Sequence, residues 1–159
     1  MIFLKKFKID WFSAVLFLAI VARLTNLITV NYVSGESMYP TLNDRDIVFG
    51  SNLEIKTDSI KYEDVVVLEI DEKLLIKRVV GLPGDTVEIK ENVLYINEEK
   101  VEESYANWTY ETVFIDVDKL ELKDNEYFVL GDNRNFSRDS RDFGAIKKDQ
   151  LVSKIYFVE

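Results

Sequence analysis

Residues 74–85 read "LLIKRVVGLPGD". Leu, Ile and paired Val residues predict a β-strand, and Gly81, Pro83 and Gly84 predict a sharp turn that ends it. A single lysine, Lys77, stands inside the apolar run. On a strand its own face carries Leu75 and Val79. The local sequence leaves two readings open, a solvated strand lysine or an amine held among apolar neighbours.

Working outward, the same short, β-branched and aromatic texture recurs. "DIVFG" (46–50), "DVVVLEI" (64–70), "DTVEIKENVLYINEEKV" (85–101), "ETVFIDV" (111–117), "NEYFVLGD" (125–132) and "QLVSKIYFVE" (150–159) all read as strands bounded by turn residues. Within the third, a hairpin is expected to turn at Glu91 and Asn92. No long amphipathic helical period, internal repeat or low-complexity tract follows residue 31. The predicted body is therefore a mainly antiparallel β domain over 31–159, with the acidic stretch 86–125 as a small β excursion.

The N-terminus differs. Residues 11–30, "WFSAVLFLAIVARLTNLITV", make about 20 mostly apolar residues, the length of a helix that spans a bilayer. A cleaved secretory leader needs small residues before its cut, and Ile20, Val21 and Ala22 supply a poor version. A buried core helix is the other alternative. A retained transmembrane anchor is the expectation, with residues 1–10 and their Lys5, Lys6 and Lys8 cytoplasmic and the body outside.

Composition narrows the chemistry. The chain has 159 residues, 47% hydrophobic and 13% aromatic, which suits one folded domain. It has no Cys and no His, which excludes disulfides, a thiol nucleophile, cysteine zinc sites and a histidine base. Of the net charge of −9, residues 1–30 carry +3, leaving −12 on the rest. So acidic a body excludes nucleic acid as a partner, and attachment to a lipid bilayer must be hydrophobic.

Five of six glycines and both prolines fall in three stretches, "SGESMYPTL" (34–42), "KRVVGLPGD" (77–85) and "GDNRNFSRDSRDFG" (131–144). Backbone path is most tightly specified there. A serine hydroxyl needs an adjacent base, and without histidine the candidates are Asp, Glu, Tyr or a lysine made neutral. From a free value near ~10.4, burial has to lower it by roughly two to three units to serve near neutrality. Taken singly, Ser34, Ser37 and Ser51 are equally good turn serines. The oxygen-rich third stretch lacks the glycine and terminal glutamate of a calcium loop, and its arginines oppose a cation, so no metal is expected.

In that order and behind such an anchor, the three stretches resemble the bacterial type I signal peptidases, in the short form of Gram-positive relatives. The resemblance implies a membrane-bound serine endopeptidase that removes signal peptides from secreted preproteins, with no cofactor. It makes Ser37 the nucleophile, Lys77 the general base and Ser137 the residue that orients the lysine amine. Asp139 and Arg141 become a bracing charged pair, and Asp132, Asn133 and Arg134 structural support. The oxyanion hole takes the Ser37 amide; Gly35 stands where some relatives carry a serine donor, with Ser34 one place further back. Val79, Val80 and Met38 are the expected substrate-contacting residues. Met38, Tyr39, Val48 and Phe49 are read either as an apolar lip against the membrane or as ordinary core. The alternative function is a pilus-assembly helper that binds pilin without cutting it, but such relatives lack the serine or the lysine.

Overall fold

In the computed structural model, residues 11–25, 28–108 and 116–156 are described. Helix α1 covers Trp11–Thr25, followed by β1 (Ile28–Tyr32), β2 (Ile47–Ser51), a short α2 (Leu53–Lys56), β3 (Val65–Ile70) and β4 (Lys73–Gly81). Then come β5 (Thr86–Lys90), β6 (Val93–Ile96), β7 (Glu99–Lys100), β8 (Val117–Glu121) and β9 (Glu126–Leu130). A one-turn α3 (Ser140–Phe143), β10 (Ile146–Lys147) and β11 (Leu151–Tyr156) complete the chain.

The strands form a seven-stranded sheet in the order β1-β2-β11-β3-β4-β9-β10 and a four-stranded sheet in the order β7-β6-β5-β8, antiparallel throughout. Three hairpins turn on two residues with positive φ: Asp71 and Glu72, Glu91 and Asn92, Asn97 and Glu98. Such loops match the right-handed twist of the strands they join. The second is the expected one at Glu91 and Asn92. Of the expected strand 111–117, only 116 and 117 lie within the described residues, and Val117 opens β8.

The predicted 11–30 helix is shorter than expected. Ile28, Thr29 and Val30 belong to β1, where they pair with Ser51, Gly50 and Phe49 of β2. β-branched residues at alternate positions pack well on a pleated surface and lose side-chain freedom in a helix. That preference ends the helix before the apolar composition does. The 15 residues of α1 rise about 22 Å, and no helix among the described residues is long and apolar enough to cross a membrane.

Because they sit centrally, β3 and the part of β4 from Lys77 onward are buried on both faces. Val66 and Leu68 pack with Val79, Val129 and Ile146 on one side, while Val65 and Val67 pack with Met38, Leu42, Val48 and Ile155 on the other. Met38 and Val48 are therefore core, whereas Tyr39 and Phe49 remain partly exposed, which divides the expected lip. A third cluster joins the sheets: Val80, Phe128 and Leu130 of the large one meet Val87, Ile89, Leu94 and Leu122 at the small one.

The turn of "GLPGD" sets that junction. Asp85 is buried and accepts from Tyr62 Oη (2.8 Å), Leu82 N (2.7 Å) and Asn97 Nδ2 (2.8 Å). A Cβ at Gly81 would sit 2.7 Å from Val87, 2.9 Å from Leu122 and 3.0 Å from Phe128. Gly81→Ala is accordingly expected to destabilise the protein by about 1–3 kcal/mol through overpacking. Urea unfolding measures it, and an unchanged midpoint would show that the sheets yield freely.

Candidate active site

Ser37 lies in the loop between β1 and β2. Gly35 opens that loop with φ +93, and nothing lies within 4 Å of a Cβ placed there, so it is the backbone angle rather than space that calls for glycine. Gly35 N donates to Asp44 Oδ1 (2.8 Å), and Met38, 2% exposed, plugs the loop into the core. From the other side Asn133 N donates to Ser37 O (3.1 Å) and Asn133 Nδ2 to Glu36 O (3.1 Å). The nucleophile candidate is held by its own main chain.

Lys77 reaches it from the middle of β4. Its Nζ lies 2.7 Å from Ser37 Oγ and also donates to Ile76 O at 2.7 Å. Only 2% of the residue is exposed. Burial pushes the amine down to about 8; Asp139 and Asp132 pull the other way and Arg141 assists. Burial is the larger influence, as a charge without water requires. The sequence demanded a fall of this size if lysine is to work as a base.

The "GDNRNFSRDSRDFG" stretch wraps this pair. Arg78, next to Lys77, forks onto Asp132 (Nε to Oδ1 2.8 Å, Nη2 to Oδ2 2.6 Å) and also donates to Glu63 O (2.9 Å). Thr41, four residues after Ser37, hydrogen-bonds the same carboxylate. Asp139 and Arg141 form a second buried fork (2.8 Å and 2.8 Å), and Asp139 also accepts from Gly131 N (2.9 Å) while capping α3.

Ser137 differs from expectation. Its hydroxyl is buried with no hydrogen-bond partner among the described residues, so it does not hold the lysine amine in this structure. It is packed instead against Gly131, where a Cβ would fall 2.1 Å from Ser137 Oγ and 2.6 Å from Ser37 O. The amine is occupied by Ile76 O and Ser37 Oγ. Among the described residues Asn133 Oδ1 in the same loop and Arg141 Nη1 on α3 are likewise buried and unpartnered.

A cleft of about 360 Å³ opens over Ser37 and Lys77, walled by Tyr32, Ser34, Met38, Leu74 and Ile76. Met38 lines this cleft from the core side. Val79 and Val80 do not: both are buried, and they line a separate cavity of about 390 Å³ with Tyr62, Leu94 and Tyr105. From Arg78 onward β4 is paired with β9, with a register shift between Val79 and Gly81. Leu74 and Ile76 were missed, although the strand that carries Lys77 was the signal that would have found them. Among the described residues no group of acids, His or Cys could hold a metal ion.

The family model described as signal peptidase, peptidase S26, matches residues 8–158. The chain belongs to that family. It is 40% identical to signal peptidase I S of Bacillus subtilis, covering 97% of this chain and 90% of that one. It is 34% identical to signal peptidase IB of Staphylococcus aureus, over the same shares. A crystal structure of a signal peptidase I from Enterococcus faecalis superposes with TM-score 0.53 at 29% identity, covering 61% of this chain and 97% of that one. The family fold is thus mainly antiparallel β.

A buried ammonium destabilises the fold. Since the folded value lies below the ordinary 10.5, the penalty is complete below pH 8 and disappears as pH rises from 8 to 10.5. Full relief amounts to about 3 kcal/mol, less two hydrogen bonds of about 1 kcal/mol each. Lys77→Met is expected to be more stable than wild type by about 1–2 kcal/mol at pH 7, with the advantage gone by pH 10.5. Urea unfolding across pH reads this; a gap independent of pH would mean the amine titrates normally.

Proposed function

We propose that the protein is a membrane-bound serine endopeptidase that removes signal peptides from secreted preproteins, with Ser37 as nucleophile and Lys77 as general base. The observation that carries the reading is the 2.7 Å contact between Lys77 Nζ and Ser37 Oγ, made by a lysine lowered to about 8. Neutral Lys77 takes the hydroxyl proton as Ser37 Oγ bonds to the scissile carbonyl carbon. It then gives that proton to the departing amine as the peptide bond breaks. A water molecule, deprotonated by the same amine, attacks the acyl ester and frees Ser37. The Ser37 amide is the oxyanion donor in this reading, and Asp139 and Arg141 brace the loop behind it. A serine and lysine in contact are what a non-cleaving assembly helper would lack.

The cleft suits an extended substrate. β1 is an edge strand, and β9 joins β4 only from Arg78 onward, so among the described residues the side of 73–77 away from β3 is unpaired. Both edges border the cleft, where a peptide can add main-chain hydrogen bonds and seat alternate side chains. Small residues such as Ala, one and three places before the cut, fit this mode.

Membrane attachment draws support from two surfaces. Trp11, Phe12, Phe17 and Leu18 of α1 are exposed, and Ile28, Val30, Tyr32, Ile47 and Phe49 make an exposed apolar face on β1 and β2. In the proposed topology residues 1–10 are cytoplasmic, α1 belongs to a single span and the β domain lies on the outer side with that face on the bilayer.

Detergent-solubilised protein is expected to cut a preprotein with an Ala-x-Ala junction after the second Ala. Ser37→Ala and Lys77→Met should each lower kcat by at least about 10³-fold. Sequencing the products locates the cut, and cutting that survives Ser37→Ala would sink the assignment. Activity should also rise with pH as Lys77 deprotonates, about tenfold per unit well below 8 and level above it. A profile flat from pH 6 to 10 would exclude lysine as the base.

A further inference from the structure

The tail of the small sheet reaches into the loop that supports the candidate dyad. After β7 the chain runs through Glu103, Tyr105 and Asn107, in a stretch that carries no recognisable motif. The Glu103 carboxylate forks onto Arg134, Oε2 accepting from Nη1 (2.8 Å) and Oε1 from Nη2 (2.6 Å). Both side chains are almost wholly enclosed, at 7% and 2% exposure. Arg134 Nε in turn donates to Gly131 O (3.0 Å). Asn107 N donates to Asp132 O (2.7 Å) and Asn107 O accepts from Arg134 N (2.9 Å). Tyr105 Oη donates to Glu103 (3.1 Å), and its ring lies 4.0 Å from the Arg78 guanidinium.

These contacts end at the reacting groups in two steps. Gly131 is wedged against Ser37 O, and Asn133, between the two anchored residues, donates to that same oxygen. Resting on the functional reading above, we propose that Glu103 is a positioning residue for the Ser37–Lys77 pair, acting through Arg134 and the 131–134 loop with Tyr105 as its partner. A charged fork is the strongest local means of fixing a loop. An error of about 1 Å at a reacting contact is worth about 10²-fold in rate. Released from Glu103, the loop shifts off the Glu36–Ser37 main chain and admits water to Lys77. Of the groups that set the charge around that amine, Asp139 and Arg141 stay forked to each other, and Asp132, which belongs to the loop, keeps its fork from Arg78.

The test is Glu103→Gln in the detergent-solubilised full chain. It keeps the side-chain size and removes the charge. The expected result is a kcat lower by about tenfold with KM within about twofold. The midpoint of the pH–rate profile should move up from about 8, and the Lys77 amine, followed by NMR, should titrate higher by the same amount. Glu102→Gln, whose side chain is 85% exposed, should match wild type. Unchanged kcat and midpoint would overturn the proposal. So would a loss of activity accounted for by a lower folded fraction with the midpoint unmoved, or equal effects from Glu102→Gln. If Glu103→Gln does not fold, Tyr105→Phe decides: a kcat lower by about two- to fivefold with an upward midpoint supports the proposal, and wild-type behaviour overturns it. Failure of wild type to cleave, or cleavage by Ser37→Ala, would refute the functional reading instead, while the NMR titration still reports on Glu103.

Discussion

A lysine amine held 2.7 Å from a serine hydroxyl with 2% of the residue exposed is the constraint on which the rest depends. Water solvates an ammonium far better than a packed interior does, so the amine is driven towards its neutral form. Lys77 sits on β4 opposite Val66 of β3, just before the point where β9 joins, and its amine is covered by the Ser37 loop. The property the proposed base needs therefore comes from packing two segments over one strand position.

Opposing it are two nearby carboxylates, Asp139 and Asp132, either of which on its own would favour the ammonium. Neither is alone. Asp139 is forked by Arg141 and Asp132 by Arg78, so each acid presents Lys77 with a dipole rather than a free negative charge. Buried ion pairs are a poor source of net stability because desolvation offsets their attraction. Here they fix a loop that must be polar without charging the base beside it. That requirement explains why "GDNRNFSRDSRDFG" alternates acids and arginines.

Much of this was legible because its causes are local. β-branched runs announced the strands, paired turn residues announced the hairpin at Glu91 and Asn92, and Leu75 and Val79 around Lys77 announced an apolar face. What failed depended on distant partners or on a contest between preferences. Apolar composition carried the predicted helix to residue 30, while the pairing of Val30 with Phe49 made a strand of its last residues. Val79 and Val80 stand close to Lys77 in sequence, but they lie where β9 covers β4, buried at the other cavity. Ser137 was assigned to the amine by motif, whereas the absence of a Cβ at Gly131 lets it pack against that glycine. Glu103 was invisible, since its meaning lies in an arginine 31 residues away.

The small sheet then has a reason to be where it is. Its core contacts with Val80, Phe128 and Leu130 would dock it to the back of β4 and β9 whatever followed β7. Docking alone, however, leaves the loop after β9 held by its own turns, by Asn133 and by the bonds of Arg78 and Thr41 to Asp132, with nothing gripping Arg134. The segment after β7 adds a buried carboxylate and a backbone bridge on the far side of that loop, between Asn107 and the residues on either side of Asn133. The loop is thus gripped between the Ser37 main chain on one face and the small sheet's tail on the other. A segment held from both faces has little freedom to reorganise, which is the preorganisation that the proposed proton transfer between Ser37 and Lys77 requires.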